Sequence, residues 1–450
     1  MRSGRSESGL QYAVKSSASK VGYCSLSVKC GTRAEGDLPE GTAHFVEHTL
    51  FKGTTRKSAA RINSYLDRLG GELNAYTTKE EIVLHATVLR EDIWKAVGLL
   101  LEIATEATFP EHEVQTERGV ILDEIISYKD SPSEDIFDNF ESRFFAGSPL
   151  GRLTLGTLES VGKTTVEDLK TYYRRNFIPQ NMALCIVASG DEEELEKQTI
   201  NSVNKYLSGD FSTSLERTSL SDGDGDCPGG FVFRDNPVAE HSLREVQRTI
   251  IPLHPQGTVG RTPQTPRLFN ITEDKENHEV NVVMGAEAPS LYELKERVTA
   301  VLLTNILGGP ASNSLLGAEL REKHGWVYSI ECGYVQYTDT GLMTVSMGCD
   351  RANLRKCLTA ADRIISKVCT APMSPAKLRA AKKQLLGQLA ISADSGETQC
   401  LSMGKSLLAF GEIMTDKQTR ELIESISAED LRSLAAKIFA PEKVSRLIYL

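Results

Sequence analysis

The chain has 450 residues, enough for two or three domains that each bury a core. A hydrophobic share of 40% and a charged share of 25% are ordinary for a globular protein. The net charge of −10 argues against a nucleic-acid partner and offers no basic patch to a membrane, and no apolar run is long enough to span one.

The first residues, Met1 to Gly9, lack the apolar core of a signal peptide, and the nine cysteines are odd in number with no Cys-x-x-Cys pair. Both features lead to the expectation of a cytoplasmic protein with reduced thiols.

In chain order, Val21–Val28 carries a strand signal. Gly41-Thr-Ala-His-Phe-Val-Glu-His-Thr-Leu-Phe-Lys-Gly-Thr54 follows. On a helix, His44 and His48 share a face and can present two imidazoles to one cation, with Glu47 projecting beside them. A hydrolytic zinc site needs that chemistry: imidazoles hold the ion, the ion acidifies a water, and an unligated carboxylate takes the proton. The order His-x-x-Glu-His inverts the commoner zincin motif. Catalytic zinc usually takes three protein ligands, so a third should come from elsewhere.

A helical pattern at 59–69 leads into Leu73-Asn-Ala-Tyr-Thr77 and a second strand at 82–89. His85 alternates within that strand and reads as a satisfied sheet residue. Further helical patterns cover 92–105 and, after Pro110, 111–125; on the latter, Glu117 and Glu124 lie seven apart on one face. Gly156–Thr164 imitates a phosphate loop with one residue too many and reads as a connection.

The helix opening near Thr165 and the strand Met182–Ala188 have a later echo. Thr165–Gln180 aligns with Ser427–Glu442 at Glu-Asp-Leu, Phe and Pro, and a strand at 444–450 follows the second copy. This weak repeat implies two homologous domains, 1–208 and 267–450. Between them, 209–266 is rich in Ser, Asp, Gly and Pro and reads as a linker or surface excursion. Its Asp-rich stretch is no calcium loop, because Cys227 and Phe233 stand where Gly and Glu are required. Helical patterns at 294–307 and 375–390 complete the second half. Strands and helices mix without strict alternation, which favours an α+β fold used twice.

The inverted motif, the Leu-Phe-Lys-Gly-Thr that follows it, and a Glu seventy-six positions after His48 together resemble the M16 zinc metallopeptidases (pitrilysin, insulysin and mitochondrial processing peptidase). The resemblance implies two α/β-roll domains, each an antiparallel sheet flanked by helices, facing each other across a peptide-holding chamber. It makes Glu124 the third zinc ligand, one Zn2+ per chain, and Glu117 an acid that supports the site. Glu47 becomes the catalytic base. Asn74 and Ala75 fall on the family's substrate edge strand, where an extended peptide adds to the sheet. In Leu320-Arg-Glu-Lys-His-Gly-Trp-Val-Tyr-Ser-Ile330, Arg321 and Tyr328 match the pair that reaches across to the substrate, and His324 is an exposed helix-end residue.

The second half carries no zinc site of its own: Ala381 and Gln388 replace Glu117 and Glu124, and Asn305–Asn313 offers no ligand. The expected activity is endopeptidase cleavage of unfolded or short peptides. The competing expectations are a catalytically silent subunit with a docking role, or an active subunit that needs a different chain. The presence of every motif residue in one chain weighs against both. Pairing with a second copy, a homodimer, stays open.

Overall fold

The computed structural model describes residues 1–207 and 268–450. The expected linker, 209–266, lies outside the described residues.

In the first half, β1 (Arg2–Arg5), β2 (Gln11–Ser16), β3 (Val21–Val28), β4 (Glu72–Thr77), β5 (Ile82–Leu89) and β6 (Met182–Ala188) form one sheet in the order β1-β2-β6-β3-β5-β4. Its helices are α1 (Thr42–Leu50), α2 (Ala59–Asp67), α3 (Ile93–Glu106), α4 (Glu111–Lys129), α5 (Pro132–Phe144), α6 (Leu158–Lys163), α7 (Val166–Asn176) and α8 (Glu192–Leu207). In the second half, β7 (Asn270–Glu273), β8 (Val280–Ala288), β9 (Val327–Gln336), β10 (Gly341–Cys349) and β11 (Ser445–Tyr449) form a sheet in the order β7-β11-β8-β10-β9. Its helices are α9 (Leu294–Gly308), α10 (Leu354–Thr370), α11 (Pro375–Ser392), α12 (Gly396–Phe410), α13 (Asp416–Ser425) and α14 (Ala428–Ile438).

The two sheets repeat one topology. Each has a single parallel pair, β2 with β6 and β7 with β11, in an otherwise antiparallel ladder. Edge strands β4 and β9 occupy equivalent places. The repeated helices α7 and α14 also start alike: Thr165 with Asp168, and Ser427 with Asp430, close reciprocal capping boxes. Each then leads to an inner strand, β6 or β11.

The sheets are covered on both faces, and one cover is exchanged. β6 is buried along its whole length. Met182, Leu184 and Ile186 enter the first half's core, while Ala183, Cys185 and Val187 pack against Cys400, Met403 and Leu407 of α12. Conversely, Ile136, Phe140 and Phe144 of α5 pack on Val283, Leu447 and Tyr449 of the second sheet. A strand buried on both faces reads as a continuous apolar run, as Met182–Ala188 does.

Cross-links join the halves. Arg33 pairs with Asp339 and with Glu80, and Glu80 also accepts from the Thr338 amide and hydroxyl. His85 Nδ1 lies 3.0 Å from Glu397 Oε1 in the first turn of α12, so its ring is satisfied within the sheet. The cysteines among the described residues are free thiols. No helix among the described residues is long and apolar enough to cross a membrane.

Candidate metal centre

Helix α1 buries Ala43, Phe45, Val46 and Leu50 in the core, which turns His44, Glu47 and His48 toward α4 and β4. Its start is unusual. Gly41 holds a left-handed φ of 87°, and a Cβ there would lie 2.6 Å from the Leu155 carbonyl, so only glycine fits. Gly41 has no side chain to cap the helix. Glu35 does this instead, its Oε1 accepting from the Ala43 amide at 3.0 Å while Arg152 holds its other oxygen at 3.0 Å. Burial pushes the Glu35 carboxyl up to about 7, against the pull of that amide and of Arg152.

His44 and His48 present their Nε2 atoms to each other at 3.1 Å. Glu124 of α4 places Oε2 3.7 Å from His44 Nε2 and 3.6 Å from His48 Nε2. Ligands about 2.0–2.1 Å from a tetrahedral zinc ion stand roughly 3.3 Å apart, so the three atoms span the right space. Electrostatics agree. Burial, with His48 next in weight, pushes His44 well below its ordinary pKa and keeps it neutral. Burial also works to lower His48. The bond to Glu117 and the charges of Glu47, Glu124 and Glu117 outweigh it, so the net shift is upward. His48 therefore has an affinity for positive charge that a cation can satisfy in place of a proton. Two imidazoles and a carboxylate, brought together by burial, suit zinc.

Glu117 Oε1 lies 2.9 Å from His48 Nδ1, and its Oε2 lies 2.7 Å from Lys52 Nζ. Burial works to raise the Glu117 carboxyl, but His48 and Lys52 hold it below the usual range. An ionised Glu117 requires the proton on His48 Nδ1, which leaves the Nε2 lone pair for a metal. Glu47 stands outside the ligand group and accepts from the Thr77 hydroxyl at 2.8 Å.

Asn74 and Ala75 lie on edge strand β4, opposite His85 and Leu84 of β5, and α1 packs against the same strand. Arg321 and Tyr328 are elsewhere. Arg321, in a π-helical turn (Gly317–Lys323), pairs with its neighbour Glu322 at 3.0 Å. Tyr328, 64% exposed at the start of β9, donates to Asp350 at 2.9 Å. Neither makes a hydrogen bond or ion pair with the first half among the described residues. His324 is exposed and stacks on Trp326. In the second half, the place of the ligand cluster is taken by an amide network in which Asn305 donates to Gln388 and accepts from Gln384.

Lys52 and Thr77 also touch the site, although the sequence pattern assigns neither a role. Their partners lie 65 and 30 positions away, and no local signal marks such contacts.

Residues 12–158 match the family model described as insulinase (peptidase family M16), and residues 163–385 match the model of the M16 inactive domain. The chain belongs to the M16 peptidase family. Its relatives include an uncharacterized zinc protease of Mycobacterium tuberculosis, 27% identical over 92% of this chain and 84% of the relative. Another, of Rickettsia felis, is 27% identical over 94% of this chain and 91% of the relative. One of Bacillus subtilis is 24% identical over 94% and 92%. Among solved structures, a protease from Helicobacter pylori has a TM-score of 0.79 at 17% identity, covering 100% of this chain and 98% of that one. An M16 inactive-domain structure from Pseudomonas fluorescens has 0.78 at 15%, covering 100% and 97%. These structures share the two-sheet M16 fold.

Proposed function

We propose that this M16 protein is a zinc-dependent endopeptidase acting on unfolded or short peptides, with one zinc per chain held by His44, His48 and Glu124. The observation that carries this reading is the convergence of three ligand atoms with an unligated carboxylate, Glu47, beside them. Bound zinc supplies Lewis-acid polarisation of the scissile carbonyl and acidifies a water molecule. Glu47 accepts that water's proton and returns it to the departing amine. Glu117 fixes the His48 ring. The β4 edge, at Asn74 and Ala75, takes the peptide as an added strand, so main-chain contacts dominate and an extended substrate is required.

Arg321 and Tyr328 steady the substrate and the developing oxyanion in this reading. Their place on the second half, with partners of that half only, favours a homodimer in which each copy's pair serves the other's metal centre. The halves of one chain are pinned by exchanged helices and by Arg33–Asp339, so they are poorly suited to fold over each other.

One experiment tests both parts. Glu47→Gln should retain zinc and lose roughly 10²–10⁴-fold in turnover, and Tyr328→Phe should retain zinc and lose roughly 10²–10³-fold. Mixing the two inactive variants should restore activity, because a mixed dimer contains one intact composite site. Full activity of Glu47→Gln would sink the peptidase assignment. Inactive singles with no recovery on mixing would leave the peptidase standing and sink the shared site.

A further inference from the structure

We propose that Lys52 is a positioning residue of the zinc centre, holding Glu117 so that Glu117 holds His48. This rests on the zinc reading above and adds a residue to which that reading gives no part.

Lys52 follows α1 directly. The helix ends at Leu50 with Phe51 as its C-cap, and the Lys52 amide donates to the Thr49 carbonyl at 3.1 Å, so the backbone leaves the helix in a tight turn. The ammonium thus stands at the helix's C-terminal end, where the backbone dipole favours a cation. From there Nζ reaches Glu117 Oε2 at 2.7 Å, while Glu117 Oε1 meets His48 Nδ1 at 2.9 Å.

The two oxygens of one carboxylate are therefore committed to two different partners. Turning the carboxylate about its last bond gives up both contacts at once, so its plane is fixed. Fixing that plane fixes the His48 ring, because the ring's Nδ1 is the other end of the bond. The remaining ring nitrogen then points at His44 and Glu124. The two histidines sit on one short helix and Lys52 lies just past its C-cap, so the ligands and their remote support are placed by adjoining segments.

The surroundings give this chain weight. The Glu117 side chain is 4% exposed and that of Lys52 only 20%, so water screens the contact poorly. A carboxylate buried to that degree needs compensation, and Lys52 is the full positive charge beside it. Without Lys52, Glu117 would keep His48 as a partner but lose its second tether, and the imidazole would sample orientations that miss the metal. Acids and amides that orient metal-ligating histidines typically govern affinity by 10–100-fold, and a residue one link further out should act at the lower end of that range.

The test measures zinc affinity of the full chain, by competition with a chromophoric chelator at fixed pH, with apo-protein melting recorded alongside. Lys52→Met should bind zinc roughly tenfold more weakly than wild type. Lys52→Arg, which keeps a cation in reach of Glu117, should recover most of the loss. The double variant Lys52→Met/Glu117→Gln should be no weaker than Glu117→Gln alone, because Lys52 acts through Glu117. Should Lys52→Met fail to fold, Lys52→Gln takes its place in the same comparison. Unchanged zinc affinity in Lys52→Met with a lowered apo melting point would make Lys52 a mere fold-stabilising ion pair and overturn the proposal. So would fully additive losses in the double variant. A wild-type chain that takes up no zinc overturns the metal reading itself, an outcome distinct from either.

Discussion

In the proposed reaction Glu47 is the base, and that role asks three things of it: it must be near the proposed metal, outside the ligand set, and aimed. The first two follow from its place beside His48 on α1. The third comes from Thr77, whose hydroxyl donates to Glu47 Oε2 at 2.8 Å from the end of edge strand β4. Thr77→Val keeps the shape and removes the donor, so it should slow turnover about tenfold, the kinetic equivalent of a hydrogen bond worth about 1.4 kcal/mol. Zinc content should not change. Steady-state kinetics beside elemental analysis reads both, and an unchanged kcat would mean that Glu47 is aimed by something else. Of the three proposed metal ligands, His44 and His48 were legible in the sequence because helical spacing alone puts them on one face. Glu124, Arg321 and Tyr328 were legible only through the family resemblance. Thr77 and Lys52 were not legible, since their partners are set by how β4 and α4 pack on α1.

At the scale of elements, α1 begins without a cap of its own and borrows Glu35. Burial raises that carboxyl from 4.5 to about 7, so the folded chain holds the proton more tightly than the unfolded chain does. The sign follows directly. Between about 4.5 and about 7 the folded state binds the extra proton, so stability falls as pH rises through that window and is level outside it. The shift corresponds to about 3 kcal/mol as an order of magnitude. Glu35→Gln cannot titrate, so this share of the pH dependence should disappear while contributions such as that of Asp138, raised by burial to about 6, persist. Urea denaturation at pH 5 and pH 8 for both chains gives the comparison, and equal slopes in the two would refute the assignment. The elements themselves were largely readable. The pattern at 375–390 is observed as Pro375–Ser392, and both copies of the repeated helix start at the residues whose chemistry marked them.

At the scale of the whole molecule, the sequence implied two similar halves but not that they trade helices. An amphipathic helix such as α12 has the same pattern whichever sheet it covers, and chain order assigns it to the second half. In the structure its Cys400, Met403 and Leu407 lie on the first sheet, while Phe140 and Phe144 of α5 lie on the second. Neither half is thus a complete domain when cut from the other. A fragment of residues 1–207 would expose one face of its sheet, at Ala13, Ala183, Cys185 and Val187, together with the aromatic stripe of α5. Contiguous apolar surface of that kind drives association in water. Expressed alone, the fragment should therefore aggregate. Co-expressed with residues 268–450, it should form a stoichiometric complex that binds zinc and melts in one transition, since each fragment supplies the other's missing cover. Gel filtration with light scattering, followed by thermal denaturation, distinguishes the cases. A monomeric 1–207 fragment with the full chain's melting point would mean that the exchanged helices only decorate two independent domains.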